Sequence, residues 1–403
     1  MNKRVLLLVG VVIIVAAGIV FLNDGEEQVN EEAPGEPTVP SEEPEEAPAA
    51  GEASDYPKIA SWLAKKDEII ESGKPYDLVM AGWFTQEEAA RFRENNPDVL
   101  LLAGLTTTWV WDNEEWMSFL VTIANHGRDE AIEVTEEMYL HDSEGGRCAF
   151  GWASEEWGHG EIYAMDPRNE DWASLVVNFY ETVLAQPSHD GIIVDMVVER
   201  QYWGQDAITD EEWTAATKAI YRRISDLNTE DKLVIFNAGA RLSDIDDYSM
   251  YFDGYLMENF MGGQLKTTFS EGLEALNGDK IVIYGVDTDD TGVVDMKKMR
   301  LGLTLSLLGD NTYFTYDFGP RDHGQAWWYP EYDVDLGEPL GEYYELEGAY
   351  WREFERGIVV AAPEGASVSF DEEYTDVTSG ESSESFIIEE GDGRIFILEA
   401  STN

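Results

Sequence analysis

Residues 190–195 read DGIIVD, and residues 253–258 read DGYLME. Each stretch is Asp-Gly, three residues of strand-forming type, then a carboxylate. A continuous apolar triplet suits a strand buried on both faces. Ending such a strand on an acid is costly unless the acid is paired or used. Two such strands in one chain ask for a common explanation.

Their neighbours suggest the frame. Strand-like runs occur at 76–84 (YDLVMAGWF), 98–105 (DVLLLAGL), 137–142 (EMYLHD), 191–197 (GIIVDMV), 232–239 (KLVIFNAG), 253–260 (DGYLMENF), 280–287 (KIVIYGVD) and 312–319 (TYFTYDFG). Helical patterns lie between many of them. QEEAARFRENN (86–96) stops at Pro97, and a helix at 171–185 shows Trp172, Leu175, Val176 and Phe179 at helical spacing. Thr209 and Glu212 form a capping-box pattern ahead of an apolar stripe of Trp213, Ala216, Ile220, Ile224 and Leu227. Residues 296–309 are helical in pattern, whereas 109–160 read as irregular and aromatic around the run at 137–142.

Eight apolar strands alternating with helices predict parallel pairing covered on both faces. Eight units over roughly 250 residues predict an α/β fold of the (β/α)8 TIM-barrel type. An open doubly wound sheet is the alternative. It usually carries a Gly-rich turn after its first strand, whereas the chain here reads TQEEA after residue 84. The last part differs. Short runs at 357–363, 366–370, 385–390 and 393–400, joined by Gly, Ser and Asp turns, predict a small antiparallel β appendage.

The first part of the chain is not globular in composition. Residues 5–22 (VLLLVGVVIIVAAGIVFL) carry no charge and follow Lys3 and Arg4. That length just suffices to cross a bilayer, with the N-terminus in the cytoplasm. A cleaved signal peptide is the alternative, although its apolar region is usually only ~7–15 residues. Residues 24–55 hold twelve acids and no basic residue, with several Pro and Gly. Such a segment is expected to stay disordered as an extended stalk. The expected domains are therefore 1–23, a signal-anchor or signal peptide; 24–55, a linker; 56–350, the barrel; and 351–403, the β appendage.

The formal net charge is −56, and the excess of acids extends beyond the stalk. It argues against nucleic acid as a partner and against docking on an anionic membrane surface, so membrane contact is expected through the N-terminal segment alone. It also predicts a salt-adapted source, because salt screens self-repulsion. The single cysteine, Cys148, excludes an internal disulfide and Cys-based metal clusters, and reads as a small buried residue.

In a barrel, active sites lie at the C-terminal ends of the strands. Counted along the chain, Asp195 ends the fourth predicted strand, Asn237 the fifth, Glu258 the sixth, Asp287 the seventh and Asp317 the eighth. The shared Asp-Gly start suggests that Asp195 and Glu258 stand at similar heights. Two nearby carboxylates in different surroundings have their pKa values pushed apart, which is what glycoside cleavage needs. Asp195 is then nucleophile or base and Glu258 the proton donor, or the reverse. Each acid could instead pair with an Arg or cap a helix. Glu199 is a further candidate substrate contact.

Aromatic side chains cluster after the strands: Trp83, Trp109, Trp111, Tyr202, Trp203, Trp327 and Trp328. Sugar rings stack their apolar faces on such planes, although aromatics are also core material. His159 and His323 stand near acids, but no HxH or HExxH spacing occurs, so no metal or other cofactor is expected. His323 is kept as a candidate substrate contact. No GxSxG elbow is present.

FTYDFGPRDHGQAWWYPEYDVDLGEPLG (314–341) and YWREFERGIVVAAP (350–363) resemble the barrels grouped as hypothetical glycosyl hydrolase family 15. The resemblance runs from about residue 76 to residue 363 and is best near its end. It implies a TIM barrel with presumed catalytic carboxylates on strands four and six. In this chain those are Asp195 and Glu258. It further implies substrate contacts in WWYPEYDVDLGEPLG, and a turn through REFERG from the last helix into the appendage. The resulting expectation is an exported, membrane-tethered glycoside hydrolase acting on a polysaccharide or surface glycan. The rival expectation is a glycan-binding or surface-assembly protein that kept the barrel without its chemistry.

Overall fold

The computed structural model describes residues 56–398 apart from 64, 150–161, 198, 200–206, 228–231, 240–245, 261–264, 289–290 and 320–325. The apolar segment 5–22, the stalk, His159, Tyr202, Trp203 and His323 lie outside the described residues. Among the described residues, no helix is long and apolar enough to cross a membrane.

Eight parallel strands run side by side: β1 (Ala60–Trp62), β2 (Leu78–Ala81), β3 (Leu100–Thr106), β6 (Gly191–Asp195), β7 (Leu233–Asn237), β8 (Gly254–Phe260), β9 (Ile281–Asp287) and β10 (Thr312–Asp317). The two edges meet. Ile59 bridges Phe314 in parallel, and the Phe314 N–H donates to the Lys58 carbonyl at 3.0 Å. An open sheet would leave both edges unpaired, so the fold is a TIM barrel. A two-stranded ribbon, β4 (Trp109–Trp111) with β5 (Ile162–Ala164), is inserted between β3 and β6.

Two differences from the sequence reading cancel in the count. The run at 137–142 contributes no barrel strand: Glu136–Met138 is a short 3-10 turn, and Tyr139 and His141 make only isolated bridges. The first stave is instead β1, three residues long and ahead of every run recognised in the sequence. Asp195 therefore still ends the fourth stave. Trp83 follows the second rather than the first, and Trp109 and Trp111 follow the third.

Alternation sorts the strands' side chains. Ala60, Trp62, Leu78, Met80, Leu102, Ile193, Ile235, Leu256 and Ile283 fill the lumen as one cluster. Their neighbours in sequence, such as Val79, Val194, Phe236, Met257, Val282 and Phe314, face outward into the main core. The helices are α1 (Lys66–Ser72), α2 (Gln86–Asn95), α3 (Glu114–Ala124), α4 (Glu170–Leu184), α5 (Asp210–Ser225), α6 (Leu265–Ala275) and α7 (Met296–Leu307). The Thr209/Glu212 capping box forms, and Thr85/Glu88 makes another at α2. Helix α3 lies in the stretch read as irregular. It starts where the Asn113 side chain accepts the N–H groups of Glu115 and Trp116.

The repeated Asp-Gly has a structural explanation at the N-terminal end of the barrel. The Asp190 carboxylate accepts the Leu101 N–H at 2.9 Å, and the Asp253 carboxylate accepts the Val234 N–H at 2.8 Å. Asp77 does the same for Ile59 at 2.6 Å. In each case the acid before a stave satisfies a backbone donor on the preceding stave. The glycines that follow Asp190 and Asp253 sit where staves crowd. A Cβ on Gly191 would lie 2.3 Å from the Leu233 carbonyl oxygen, and one on Gly254 would lie 2.6 Å from the Ile281 carbonyl oxygen.

The C-terminal sheet has six antiparallel strands rather than the four expected: β11 (Tyr344–Leu346), β12 (Ala349–Phe354), β13 (Gly357–Ala362), β14 (Ala366–Asp376), β15 (Ser382–Ile388) and β16 (Asp392–Ile397). Arg352–Phe354, expected to lead out of a last helix, belong to β12. Helix α7 packs between the barrel and this sheet. A Cβ on Gly393 would overlap Thr304, and Arg300 pairs with the buried Asp392 at 2.8 and 2.9 Å. Its buried residues span most of its circumference, as expected of a helix covered on both sides.

Candidate active site

The lumen tracks continue upward into polar side chains. Trp62 stands two residues above Ala60, Asp195 above Ile193, Asn237 above Ile235 and Glu258 above Leu256. Gly285 and Asp287 continue the track of Ile283, and Thr315 and Asp317 that of Tyr313. The apolar plug therefore gives way to a carboxylate-rich layer at the C-terminal mouth.

The staves are staggered. Gly191 pairs with Leu233, but Gly254 pairs with Ile235. Glu258 accordingly stands two residues higher than the level shared by Asp195 and Asn237, not level with Asp195 as the repeated motif suggested. Closing a sheet into a barrel requires such shear. The β8–β9 register also shifts between Met257 and Phe260, around Glu258.

Asn237 spans that step. Its Nδ2 donates to Asp195 Oδ1 at 2.8 Å and to Glu258 Oε2 at 2.7 Å. Its Oδ1 accepts the Gly239 N–H at 2.9 Å, which sets which end of the amide faces the acids. Two acceptors on the diverging hydrogens of one amide nitrogen lie roughly 5 Å apart. Glu258 Oε1 accepts the indole N–H of Trp62 at 2.7 Å. Asp195 Oδ1 also accepts the Met196 N–H at 2.8 Å, and Met196 has φ 55°. A left-handed non-glycine residue costs about 1–2 kcal/mol, and here it directly follows a candidate acid.

Trp62, Glu258, Gly285, Val286, Asp287, Thr315 and Asp317 line a small recess beside this pair. Asp287 and Asp317 are register partners on β9 and β10, and both are buried. Asp317 Oδ1 accepts the Gly319 N–H at 2.7 Å, and Lys298 Nζ donates to the Asp287 carbonyl at 2.7 Å. Tyr316, facing outward from the same strand, has its hydroxyl pKa pushed up to about 12 by burial, with Asp295, Asp317 and Asp287 adding to the rise.

The aromatics divide. Trp327 stacks on Phe318, with centroids 3.5 Å apart and planes at 10°, immediately after Asp317 in the chain. Trp328 packs its edge against Tyr76 and donates to Asp333 at 2.7 Å. Trp83 is wedged between Phe119 and His189, on the helix side of its stave. Trp109 is buried in a separate cluster with Leu140, Cys148, Ile162 and Trp213, and Trp111 packs against it. Glu199 has its carbonyl engaged by the Thr214 hydroxyl. Cys148 is buried, as its composition reading anticipated. Among the described residues, no group of three or more His, Cys, Asp or Glu side chains could hold a metal ion.

Trp62 is the site residue that the sequence reading missed. Its stave is too short for alternation to register, and the one signal was an indole closing a brief apolar run.

The fold and its mouth define a glycoside-hydrolase-like barrel protein. Residues 116–358 match the family described as hypothetical glycosyl hydrolase family 15, and the chain belongs to that family. No curated protein matches it. Solved structures that resemble it include a noncanonic maltogenic alpha-amylase from Thermotoga neapolitana, 10% identical with TM-score 0.45, covering 85% of this chain and 99% of that one. A Nostoc punctiforme debranching enzyme is 10% identical with TM-score 0.45, covering 83% and 89%. A cycloalternan-degrading enzyme from Trueperella pyogenes is 11% identical with TM-score 0.47, covering 85% of this chain and 62% of that one.

Proposed function

We propose that this protein is an exported glycoside hydrolase that cleaves a polysaccharide or surface glycan with Asp195 and Glu258. The observation that carries this reading is the single Asn237 amide shared by both carboxylates at the barrel mouth. Family membership supports the reaction class.

A separation of roughly 5 Å suits a retaining mechanism, since inverting pairs stand about 6.5–9.5 Å apart to admit a water. One carboxylate attacks the anomeric carbon and forms a glycosyl ester. The other, protonated, gives its proton to the departing glycosidic oxygen. That second group then takes a proton from water, whose oxygen attacks the anomeric carbon and releases the first carboxylate. Asp287 and Asp317 line the recess where they would accept hydrogen bonds from sugar hydroxyls, and the Phe318–Trp327 stack offers a flat apolar face.

In this reading residues 5–22 anchor the chain, residues 24–55 hold the barrel away from the membrane, and the charge of −56 adapts it to salt. The test is product analysis against a panel of polysaccharides in molar salt. Wild type releases reducing ends, while Asp195→Asn and Glu258→Gln release none and unfold at the wild-type temperature. Full activity in either variant would sink the assignment.

A further inference from the structure

We propose that the recess beside Glu258 is a specificity pocket. It takes one unsubstituted hydroxyl of the sugar at the cleavage site, with Gly285 setting its size and Thr315 supplying a hydrogen bond. The inference rests on the two-carboxylate reading above and deepens it to a class of sugar.

Four neighbouring staves build the recess. Trp62 comes from β1, Glu258 from β8, Gly285 and Asp287 from β9, and Thr315 and Asp317 from β10. Asn237, on β7, stands on the other side of Glu258. The volume is about 10 Å³. That is about what one water-sized sphere needs. A single oxygen fits, and a methoxy, acetyl or acetamido group does not.

The room comes from a missing side chain. Gly285 and Thr315 are register partners, each on the lumen-facing track of its stave. Thr315 therefore faces a position where the neighbouring stave offers no side chain. Elsewhere in the barrel, crowding forces glycine. A Cβ on Gly191 would lie 2.3 Å from a carbonyl oxygen, and one on Gly254 would lie 2.6 Å from another. At Gly285 the nearest atoms would be the Met257 carbonyl oxygen at 3.2 Å and Leu256 Cδ1 at 3.3 Å. A methyl group fits there once its neighbours give by a few tenths of an ångström. Backbone packing explains the first two glycines, whereas Gly285 keeps the recess open.

The lining selects what enters. With the carboxyl groups of Glu258, Asp287 and Asp317 around it, the recess favours a hydrogen-bond donor and repels an anion such as a sugar carboxylate or sulfate. The Thr315 hydroxyl is half-buried, and none of the described residues hydrogen-bonds to it. It can give or receive a hydrogen bond, as a sugar hydroxyl can. A site built to bond a hydroxyl discriminates strongly against the sugar that lacks it.

The test reads binding, not cleavage. The full chain is labelled with 15N at its thirteen tryptophans and held in detergent. It is titrated by NMR with neutral hexoses, pentoses and deoxyhexoses, then with the monodeoxy and mono-O-methyl derivatives of the sugar that binds best. Trp62 lines the recess and reports its occupation. Trp62→Phe identifies the indole signal by its loss, or Glu258→Gln by the shift of the indole bonded to that carboxylate. In the wild type, a sugar of the panel moves this signal, and both derivatives at one ring position bind about tenfold or more weakly. Thr315→Val keeps the shape and lowers the preference for the parent sugar over that deoxy derivative about fivefold. Gly285→Ala weakens the parent sugar about tenfold or more, and should that variant not fold, Thr315→Val decides.

A Trp62 signal that no sugar moves would overturn the pocket. So would equal binding of every derivative, an unchanged preference in Thr315→Val, or wild-type affinity in Gly285→Ala. Binding with these preferences but without release of reducing ends would sink the hydrolase reading alone. Cleavage without these preferences would sink the pocket alone.

Discussion

The two ends of the barrel use the same residue type in opposite ways. At the N-terminal end, Asp77, Asp190 and Asp253 each accept a backbone N–H from the preceding stave. At the C-terminal mouth, Asp195 and Glu258 instead meet on a side-chain amide, and the Met196 N–H that Asp195 also accepts comes from the next residue in the chain, not from a neighbouring stave. An acid bonded to backbone holds the sheet in register. An acid held by other side chains is oriented toward space where a substrate can come. The DGIIVD and DGYLME segments therefore join two purposes, support at the first residue and chemistry at the last.

The largest effects expected from this contrast are on activity at the mouth. Asp195→Asn and Glu258→Gln should each lower the cleavage rate by 10³-fold or more, about 4 kcal/mol of transition-state stabilisation. Their melting temperatures should stay within about 2 °C of wild type. A comparable loss of activity from Asp190→Ala in a folded sample would erase the distinction between the ends.

Protons separate the ends a second way. His189, next to Asp190, is buried. It accepts the Phe84 N–H on Nε2 at 3.0 Å, and its Nδ1 faces the Val183 carbonyl at 3.1 Å. Burial pushes its pKa down to about 4 from 6.5. The unfolded chain therefore binds this proton at a higher pH than the folded one. His189 contributes stability in full above about 6.5, and that stability is lost as pH falls toward 4. The loss is about 3 kcal/mol, read by urea unfolding at successive pH values, and His189→Gln should remove most of it. An unchanged pH dependence in that variant would move the acid lability to another group.

These comparisons also mark what could be read in advance. The alternation of apolar staves with helices was legible because burial on both faces leaves continuous apolar runs, and the terminal acids stood out against them. The stave carrying Trp62 was not, because three residues give alternation nothing to repeat. The stagger between Asp195 and Glu258 was also hidden, since it depends on which residues face each other across two interfaces. Strand β12 escaped because Arg352 is buried within it. Its guanidinium donates to the Leu307 and Gly309 carbonyls at 3.2 and 2.7 Å, so a charged residue occupies a position that alternation reserves for apolar ones.

Asp190→Ala comes next in size. It removes the acceptor of the Leu101 N–H and the partner of Arg93, which lies 3.1 Å away. The ion pair is partly exposed and counts for little. Most of the expected loss, about 2 kcal/mol, comes from stranding a backbone donor in the sheet. Urea unfolding at pH 7 measures it, and a loss well under 1 kcal/mol would mean that water replaces the carboxylate.

Asp253→Ala should have the smallest effect and gives the sharpest contrast, because Glu258 lies five residues further along the same stave. Asp253 is exposed, and the Val234 N–H it accepts at 2.8 Å lies at the N-terminal end of β7. Water can reach the vacated site, so the expected cost is about 1 kcal/mol, at the low end for a lost acceptor. The cleavage rate measured below the melting transition should remain within twofold of wild type. If Asp253→Ala instead lowers the rate severalfold while stability barely changes, then the register of β8 transmits the base of the stave to Glu258. Support and chemistry would then be one property of that strand, not two.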